Sequence, residues 1–318
     1  MSPNPLSFGK TGIDVATKVR RLMVSNVAGK KSLSVAPDAL AASFSIVSPI
    51  GPFVVQPLHS VLLKLGFAPT VTGHQQETLT LHSSDPKHPT VLVTLSGKGR
   101  PGEPSVPMDS LSFGHVGIGV APNARTIKLT NSGLGRLTGT VGTLGAPFTV
   151  TVGAGAFDLL PGQKWTVTVQ FAPVAVVHSA TTLVITTDDP AIPVVNLEVS
   201  GTGAPGHLTT NLPTLPDTIT PVLDFGPSAP ATSVTKVFKI VNSGEGVLQG
   251  SVGTPTNGTL VVTGGSGAFA LEPGGRQAVT VKFTPTGSGK FKATLPITVT
   301  PPGTPASGLT VSLKGTGT

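Results

Sequence analysis

The 318-residue chain has no cysteine, no tyrosine and a single tryptophan, and only 11% of its residues are charged. Without cysteine there can be no disulfide staple, which excludes antibody-type sandwiches built around an inter-sheet bridge; no redox compartment follows from the absence. The shortage of Tyr and Trp removes the aromatic anchors that tight recognition and sugar-binding faces use. No apolar run approaches the ~18 residues needed to cross a bilayer, so no membrane insertion is expected. Met1-Ser2-Pro3-Asn4-Pro5 shows no basic segment followed by an apolar one, so cytoplasmic assembly or a virion is expected in preference to Sec-dependent export. No stretch carries helical periodicity.

Glycine (40) and proline (31) are plentiful, and they punctuate a pattern that occurs three times. Each copy opens on Leu-x-Phe-Gly: Leu6-Ser7-Phe8-Gly9, Leu111-Ser112-Phe113-Gly114 and Leu223-Asp224-Phe225-Gly226. A short strand then ends at Asn26, at Asn131-Ser132-Gly133 or at Asn242-Ser243-Gly244, turns whose Asn and Gly suit left-handed backbone angles. A turn follows at Pro57-Leu58, Pro161-Gly162 and Pro273-Gly274, then a strand ending in Phe67-Ala68-Pro69, Phe171-Ala172-Pro173 or Phe283-Thr284-Pro285. The copies close on Gly97-Lys98-Gly99, Gly201-Thr202-Gly203 and Gly315-Thr316-Gly317. In Trp165-Thr166-Val167-Thr168-Val169-Gln170-Phe171, apolar residues alternate with Thr and Gln, the period of a half-buried strand. Leu22 and Val24, Ile127 and Leu129, and Phe238 and Ile240 are the matching inward pairs. A repeat near 100 residues suits whole domains, not solenoid units. The expected fold is all-β: three tandem immunoglobulin-like sandwiches in an extended row, at 1–102, 103–206 and 207–318.

The formal charge of +7 is uneven, at +6, −2 and +3 for the three copies, which would favour head-to-tail docking of molecules or reflect simple surface scatter. Lys18, Arg20, Arg21, Lys30 and Lys31 form the densest basic stretch. No aromatic residues are interleaved for base stacking, so a solvated face or a protein contact is expected before polyanion binding, and no specific nucleic acid. Lys18 and Arg20 are expected on the wet face of the strand that buries Leu22 and Val24.

Chemistry-bearing candidates are few. His74, His82 and His88 near Asp85 match no zinc spacing. Asp109, Asp158, Asp188 and Asp189, with Glu103 at one junction and Asp217 at the other, offer too few carboxylates for calcium between domains. Gly97-Lys98-Gly99-Arg100-Pro101-Gly102 and Gly201-Thr202-Gly203-Ala204-Pro205-Gly206 satisfy G-x-G-x-x-G, but Pro-rich connectors follow instead of a helix. They read as inter-domain linkers stiffened by proline. No G-x-S-x-G elbow occurs. Trp165 aligns with Val61 and Gln277, as a core filler or rim residue. The expectation is no catalytic, cofactor or metal site, and no enzyme.

The repeated frame, most complete from Leu111 to Gly203, resembles the abnormal-spindle/hydin (ASH) family of immunoglobulin-like domains and the bacterial modules called choice-of-anchor D. The first copy departs from it at Asn26 and Pro57, the third at Pro301-Pro302-Gly303. The resemblance implies a non-enzymatic scaffold, as in cilia, centrosomes and bacterial surface proteins, and carries over no functional residue set. The expected function is structural: a homo-oligomeric filament, sheath or virion-surface component that packs with itself or a scaffold protein. An adhesin-like or carbohydrate-binding surface module is the alternative.

Overall fold

The computed structural model describes residues 5–27, 30–41, 43–214, 219–300 and 307–318, and among them there are 26 strands and no helix. Module 1 contains β1 (Leu6–Gly12), β2 (Lys18–Ser25), β3 (Leu33–Pro37), β4 (Phe44–Ser48), β5 (Phe53–Val55), β6 (Ser60–Phe67), β7 (Gly73–Ser83) and β8 (Thr90–Arg100). Module 2 contains β9 (Pro104–Ser105), β10 (Ser110–Gly117), β11 (Asn123–Asn131), β12 (Leu137–Val141), β13 (Phe148–Val152), β14 (Gly155–Leu159), β15 (Lys164–Phe171), β16 (His178–Thr187) and β17 (Val194–Ala204). Module 3 contains β18 (Leu208–Thr210), β19 (Val222–Ser228), β20 (Val234–Asn242), β21 (Leu248–Val252), β22 (Leu260–Gly264), β23 (Gly267–Leu271), β24 (Arg276–Phe283), β25 (Gly289–Val299) and β26 (Ser307–Gly317).

Each module is an immunoglobulin-like sandwich with its own core. Its larger sheet has five strands, in the orders β1-β8-β7-β3-β5, β10-β17-β16-β12-β14 and β19-β26-β25-β21-β23. The second sheet is β13-β15-β11-β9 in module 2 and β18-β20-β24-β22 in module 3, but only β2-β6-β4 in module 1. The extra strands β9 and β18 are the segments that follow the Pro-Gly linkers. The Pro-rich connectors therefore belong to the sheet of the module they lead into.

The motifs that recur far apart in sequence meet in the core. The Phe of Leu-x-Phe-Gly lies against the Phe of Phe-x-Pro, with ring centroids 5.6, 5.6 and 5.7 Å apart in the three modules. A Cβ on the first glycine of each closing tail (Gly97, Gly201, Gly315) would fall 2.4, 2.6 and 2.5 Å from that second ring, so only glycine lets the tail strand cross it. The glycine of Leu-x-Phe-Gly sits at φ of 64°, 64° and 73°, where the parallel pairing of the first and last strands slips register. In module 1, Leu58 takes the left-handed place (φ 65°) that Gly162 and Gly274 fill in its sisters.

Period two puts Lys18 and Arg20 in phase with buried Leu22 and Val24, not opposite them as expected from sequence. They stay accessible because the strand runs past the rim of the core there; Lys18 Nζ donates to Lys10 O at 3.1 Å. Thr11, 6% exposed, has a hydroxyl with no partner, at the position Val116 occupies in module 2. Removing a buried unpaired hydroxyl while keeping the shape should stabilise module 1 by about 1 kcal/mol. Thr11→Val is therefore expected to raise its melting midpoint by several degrees in calorimetry; a fall would contradict the orphaned hydroxyl.

Candidate functional site

The polar groups singled out from sequence are held apart. His82 faces Asp38 at 3.2 Å and His88 faces Asp85 at 3.0 Å, while His74 is exposed on β7. Asp85 and Asp189 cap turns by accepting from Lys87 N and Ala191 N, and Asp188 accepts from the backbone N–H and hydroxyl of Thr138. Asp217 and Pro301-Pro302-Gly303 lie outside the described residues. Among the described residues, no three His, Cys, Asp or Glu side chains come together as a metal site would require. Trp165 is half-buried at the sandwich rim, and its indole N–H donates to Gly153 O at 2.9 Å. Gln277 in module 3 makes the same bond to Gly265 O, also at 2.9 Å.

What the sequence places together are the joints between modules. At joint 1, β1 ends in Gly12-Ile13 beside the linker Arg100-Pro101-Gly102, and Ile13 N donates to Arg100 O at 2.9 Å. Across the boundary, Arg136 N donates to Ile13 O at 2.9 Å and Gly135 N to Pro101 O at 3.0 Å. Joint 2 repeats this bond for bond. Ile118 N donates to Ala204 O (2.9 Å), Val247 N to Ile118 O (2.8 Å) and Gly246 N to Pro205 O (3.1 Å).

Behind each boundary sits a fully buried asparagine. Asn131 Oδ1 accepts from Glu103 N (3.1 Å) and Gly133 N (3.0 Å), and its Nδ2 donates to Gly135 O (2.8 Å) and Leu159 O (2.9 Å). Asn242 does the same with His207 N, Gly244 N, Gly246 O and Leu271 O, at 3.0, 3.0, 2.8 and 2.8 Å. One amide side chain thus satisfies the linker, the turn and the neighbouring strand, and uses its full donor and acceptor capacity against them. Each linker is hydrogen-bonded to the module it leads into, in addition to carrying proline.

The glycines of the Asn-Ser-Gly turns correct the expectation from sequence. Neither Gly133 nor Gly244 has a positive φ, and no residue of either turn is left-handed. They are small because the linker crosses them: a Cβ on Gly133 would fall 2.5 Å from Glu103 N, and on Gly244 2.5 Å from His207 N. The facing glycines are tighter still. A Cβ on Gly12 would lie 1.8 Å from Leu134 O, and on Gly117 1.8 Å from Glu245 O.

The joints differ in their side chains. At joint 1, Arg136 pairs with Asp158, its Nε 2.6 Å from Oδ1; that hydrogen bond holds the Asp158 carboxyl below its usual range and raises Arg136. At joint 2 the contact is apolar, with Ile118 and Val247 both buried. Modules 1 and 3 each lack one side of the pattern. Module 1 has Asn26 but no Gly-x-Gly after it, and module 3 carries Ala229-Pro230 where the others carry Gly-Ile.

A family model for the HYDIN/CFA65/VesB-like Ig-like domain matches residues 218–316. Module 3 therefore resembles a HYDIN-type immunoglobulin-like domain. The other two modules share the strand order of its five-stranded sheet and its Leu-x-Phe-Gly, Phe-x-Pro and Gly-x-Gly landmarks, so the chain is a tandem of three similar immunoglobulin-like modules. Among solved structures, a protein of unknown function from Porphyromonas gingivalis W83 is similar at 20% identity, covering 63% of this chain and 97% of that one, with a TM-score of 0.28. The ASH/PapD-like domain 7 of human CEP192 is 15% identical over 35% of this chain and 84% of its own, with a TM-score of 0.29. Mouse cadherin-23 EC22–24 covers 100% of this chain and 96% of its own at 11% identity, with a TM-score of 0.40. No curated protein matches the chain.

Proposed function

We propose that this chain is a non-enzymatic structural protein, three modules divided at 102/103 and 206/207 and held as a stiff spacer that assembles with copies of itself or with a scaffold protein. The observation that carries the reading is the repetition of one joint. Two boundaries of different side-chain composition keep the same backbone hydrogen bonds and the same buried asparagine. Selection of matching geometry at both boundaries makes sense where the relative placement of the modules is itself the product. A filament, sheath or virion surface is the setting that uses such a spacer.

Self-assembly in this reading does not run head to tail through the same joint, because Ala229 carries a methyl at the place where a Cβ on Gly12 or Gly117 would strike the next module's backbone. Copies would meet along their sides, through sheet edges. Small-angle scattering and light scattering over a dilution series test both halves. The expected result is a rod whose dimensions do not change with salt, in equilibrium with larger species. A dilution-stable monomer would remove self-assembly and leave the scaffold partner; a flexible envelope would remove the spacer.

A further inference from the structure

The outer face of the β2-β6-β4 sheet in module 1 differs in kind from the same face of its sisters. Val19, Met23, Val47 and Leu62 all point away from the core and are 45%, 43%, 41% and 49% exposed. Module 2 has Ala124, Lys128, Thr151 and Thr166 at these places, and module 3 has Thr235, Lys239, Thr263 and Ala278. Between the Met23–Leu62 pair and Val19, Arg21 lies directly opposite Lys64. Like charges so placed cost stability. The sisters avoid the cost with Thr126–Thr168, whose hydroxyls are 3.2 Å apart, and with Val237–Thr280. The strands β2, β4 and β6 contain no carboxylate, and neither Arg21 nor Lys64 has an ion pair among the described residues. A like-charge pair flanked by exposed aliphatic side chains suits a surface that meets an anionic one.

The five-stranded sheet of module 2 has the opposite character. Its strands β10, β12, β14, β16 and β17 contain Asp158 and Glu198 and neither Lys nor Arg. Asp158 is neutralised by Arg136. Glu198 points outward at a place that Thr94 and Ser312 fill in the other modules, counted back from the closing glycines. Its N–H donates to Asp109 O at 3.2 Å, so Asp109, also exposed, adjoins it. Neither acid has an ion pair among the described residues. One row along the sheet from Glu198, Val184 is 42% exposed, and Met108 before Asp109 is 39% exposed. Arg125, which shares a cleft with Met108, is held over the Phe113 ring, 5.9 Å from its centroid.

We infer that the outer face of the β2-β6-β4 sheet in module 1 docks on the outer face of the five-stranded sheet of module 2 in a second copy of this chain. Arg21 and Lys64 meet Glu198 and Asp109, and Met23, Leu62 and Val19 cover Val184 and Met108. The charge signs select the pairing. Two module 1 faces would set Arg21 and Lys64 against their own copies, and two module 2 faces would set acid against acid. The chain's own module 2 is not the occupant, since Met23 and Leu62 stay exposed in the single chain. The docked faces are unlike, so each copy offers one of each and the contact can repeat from copy to copy. This rests on the side-to-side assembly proposed above, and it adds sheet faces to the sheet edges named there.

The test is sedimentation of the full chain and of two charge reversals, R21E/K64E and D109K/E198K. The unsubstituted chain is expected to associate reversibly with a dissociation constant on the order of 100 μM at low salt, the weak end of protein contacts. Raising the salt should weaken it several-fold, as it does for exposed charges. Each reversal alone should weaken association at least tenfold, because its two faces then carry the same sign. An equal mixture of the two should associate again, since each copy then presents the sign the other lacks. R21T/K64T, which copies the Thr126–Thr168 pair of module 2, should weaken association several-fold; it replaces R21E/K64E if that variant melts early. M23T/L62T should also weaken association, and in high salt as well, since it removes apolar contact and no charge. If the unsubstituted chain associates and neither reversal changes it, the faces are wrongly assigned while the assembly reading stands. If the chain is a monomer at about 1 mM, both fall. Two further results overturn the inference: a mixture of reversals that stays monomeric, or a monomeric chain whose Arg21–Lys64 face binds a single-stranded oligonucleotide or anionic vesicles, which would make it a polyanion surface.

Discussion

Asn131→Ala is expected to destabilise module 2 by about 3–5 kcal/mol, because it strands four backbone groups at once, two in buried bonds and two in part-buried ones. The substitution removes the acceptor of Glu103 N and Gly133 N and the donor to Gly135 O and Leu159 O, all at 2.8–3.1 Å. A buried peptide group left unpaired costs about 1–3 kcal/mol, and water entering the space relieves part of it. For a domain whose total stability is about 5–15 kcal/mol, the loss lowers the melting midpoint by on the order of 15 °C or more. Asn242→Ala should do the same to module 3. Asn26→Ala should cost about half as much, since among the described residues only Lys31 O and Val55 O lose a partner. Calorimetry resolving the three modules checks the order Asn131 ≈ Asn242 > Asn26. Equal losses at all three would show that the asparagine serves only its own turn and has nothing to do with the linker.

The same residues show what could be read from the chain unaided. Leu-x-Phe-Gly, Phe-x-Pro and the glycine tail are legible because side chains carry them. The Phe pairs and the glycine beneath the second ring form one core contact, repeated in every module. The joints were harder, because glycine does not announce its reason. Gly133 and Gly244 looked like left-handed turn residues and are instead points of close approach. The incoming strands β9 and β18 have two and three residues, too few to show alternation, so they looked like free linkers. A signal was nonetheless present. Gly-Ile follows Leu-x-Phe-Gly after two residues in copies one and two but not three, and Asn-Ser-Gly-x-Gly occurs in copies two and three but not one. At both joints Gly-Ile of one copy meets the Asn-Ser-Gly-x-Gly turn of the next, so the two patterns are the two sides of one boundary.

That pairing leads to the second large effect. Gly117→Ala is expected to open joint 2 while leaving the sandwiches folded. The added methyl would lie 1.8 Å from Glu245 O, a backbone atom that cannot swing aside, so the two modules must separate. Separation breaks the 2.8 Å bond from Val247 N to Ile118 O and exposes Ile118 and Val247, now 3% and 8% accessible. One hydrogen bond and a buried aliphatic contact amount to about 3 kcal/mol, a hundredfold or so in the closed-to-open ratio. Module 2 itself should melt within about 0.5 kcal/mol of the unsubstituted chain, because module 3 already tolerates Ala229 at this point of its first strand. Faster proteolysis near Pro205-Gly206 and a broadened scattering profile would report the opening. Gly12→Ala should do likewise at joint 1, less completely, where the Arg136–Asp158 pair continues to hold the socket loop. A Gly117→Ala chain with unchanged scattering and proteolysis would mean that the modules meet without needing this contact, and the stiff spacer would lose its physical basis.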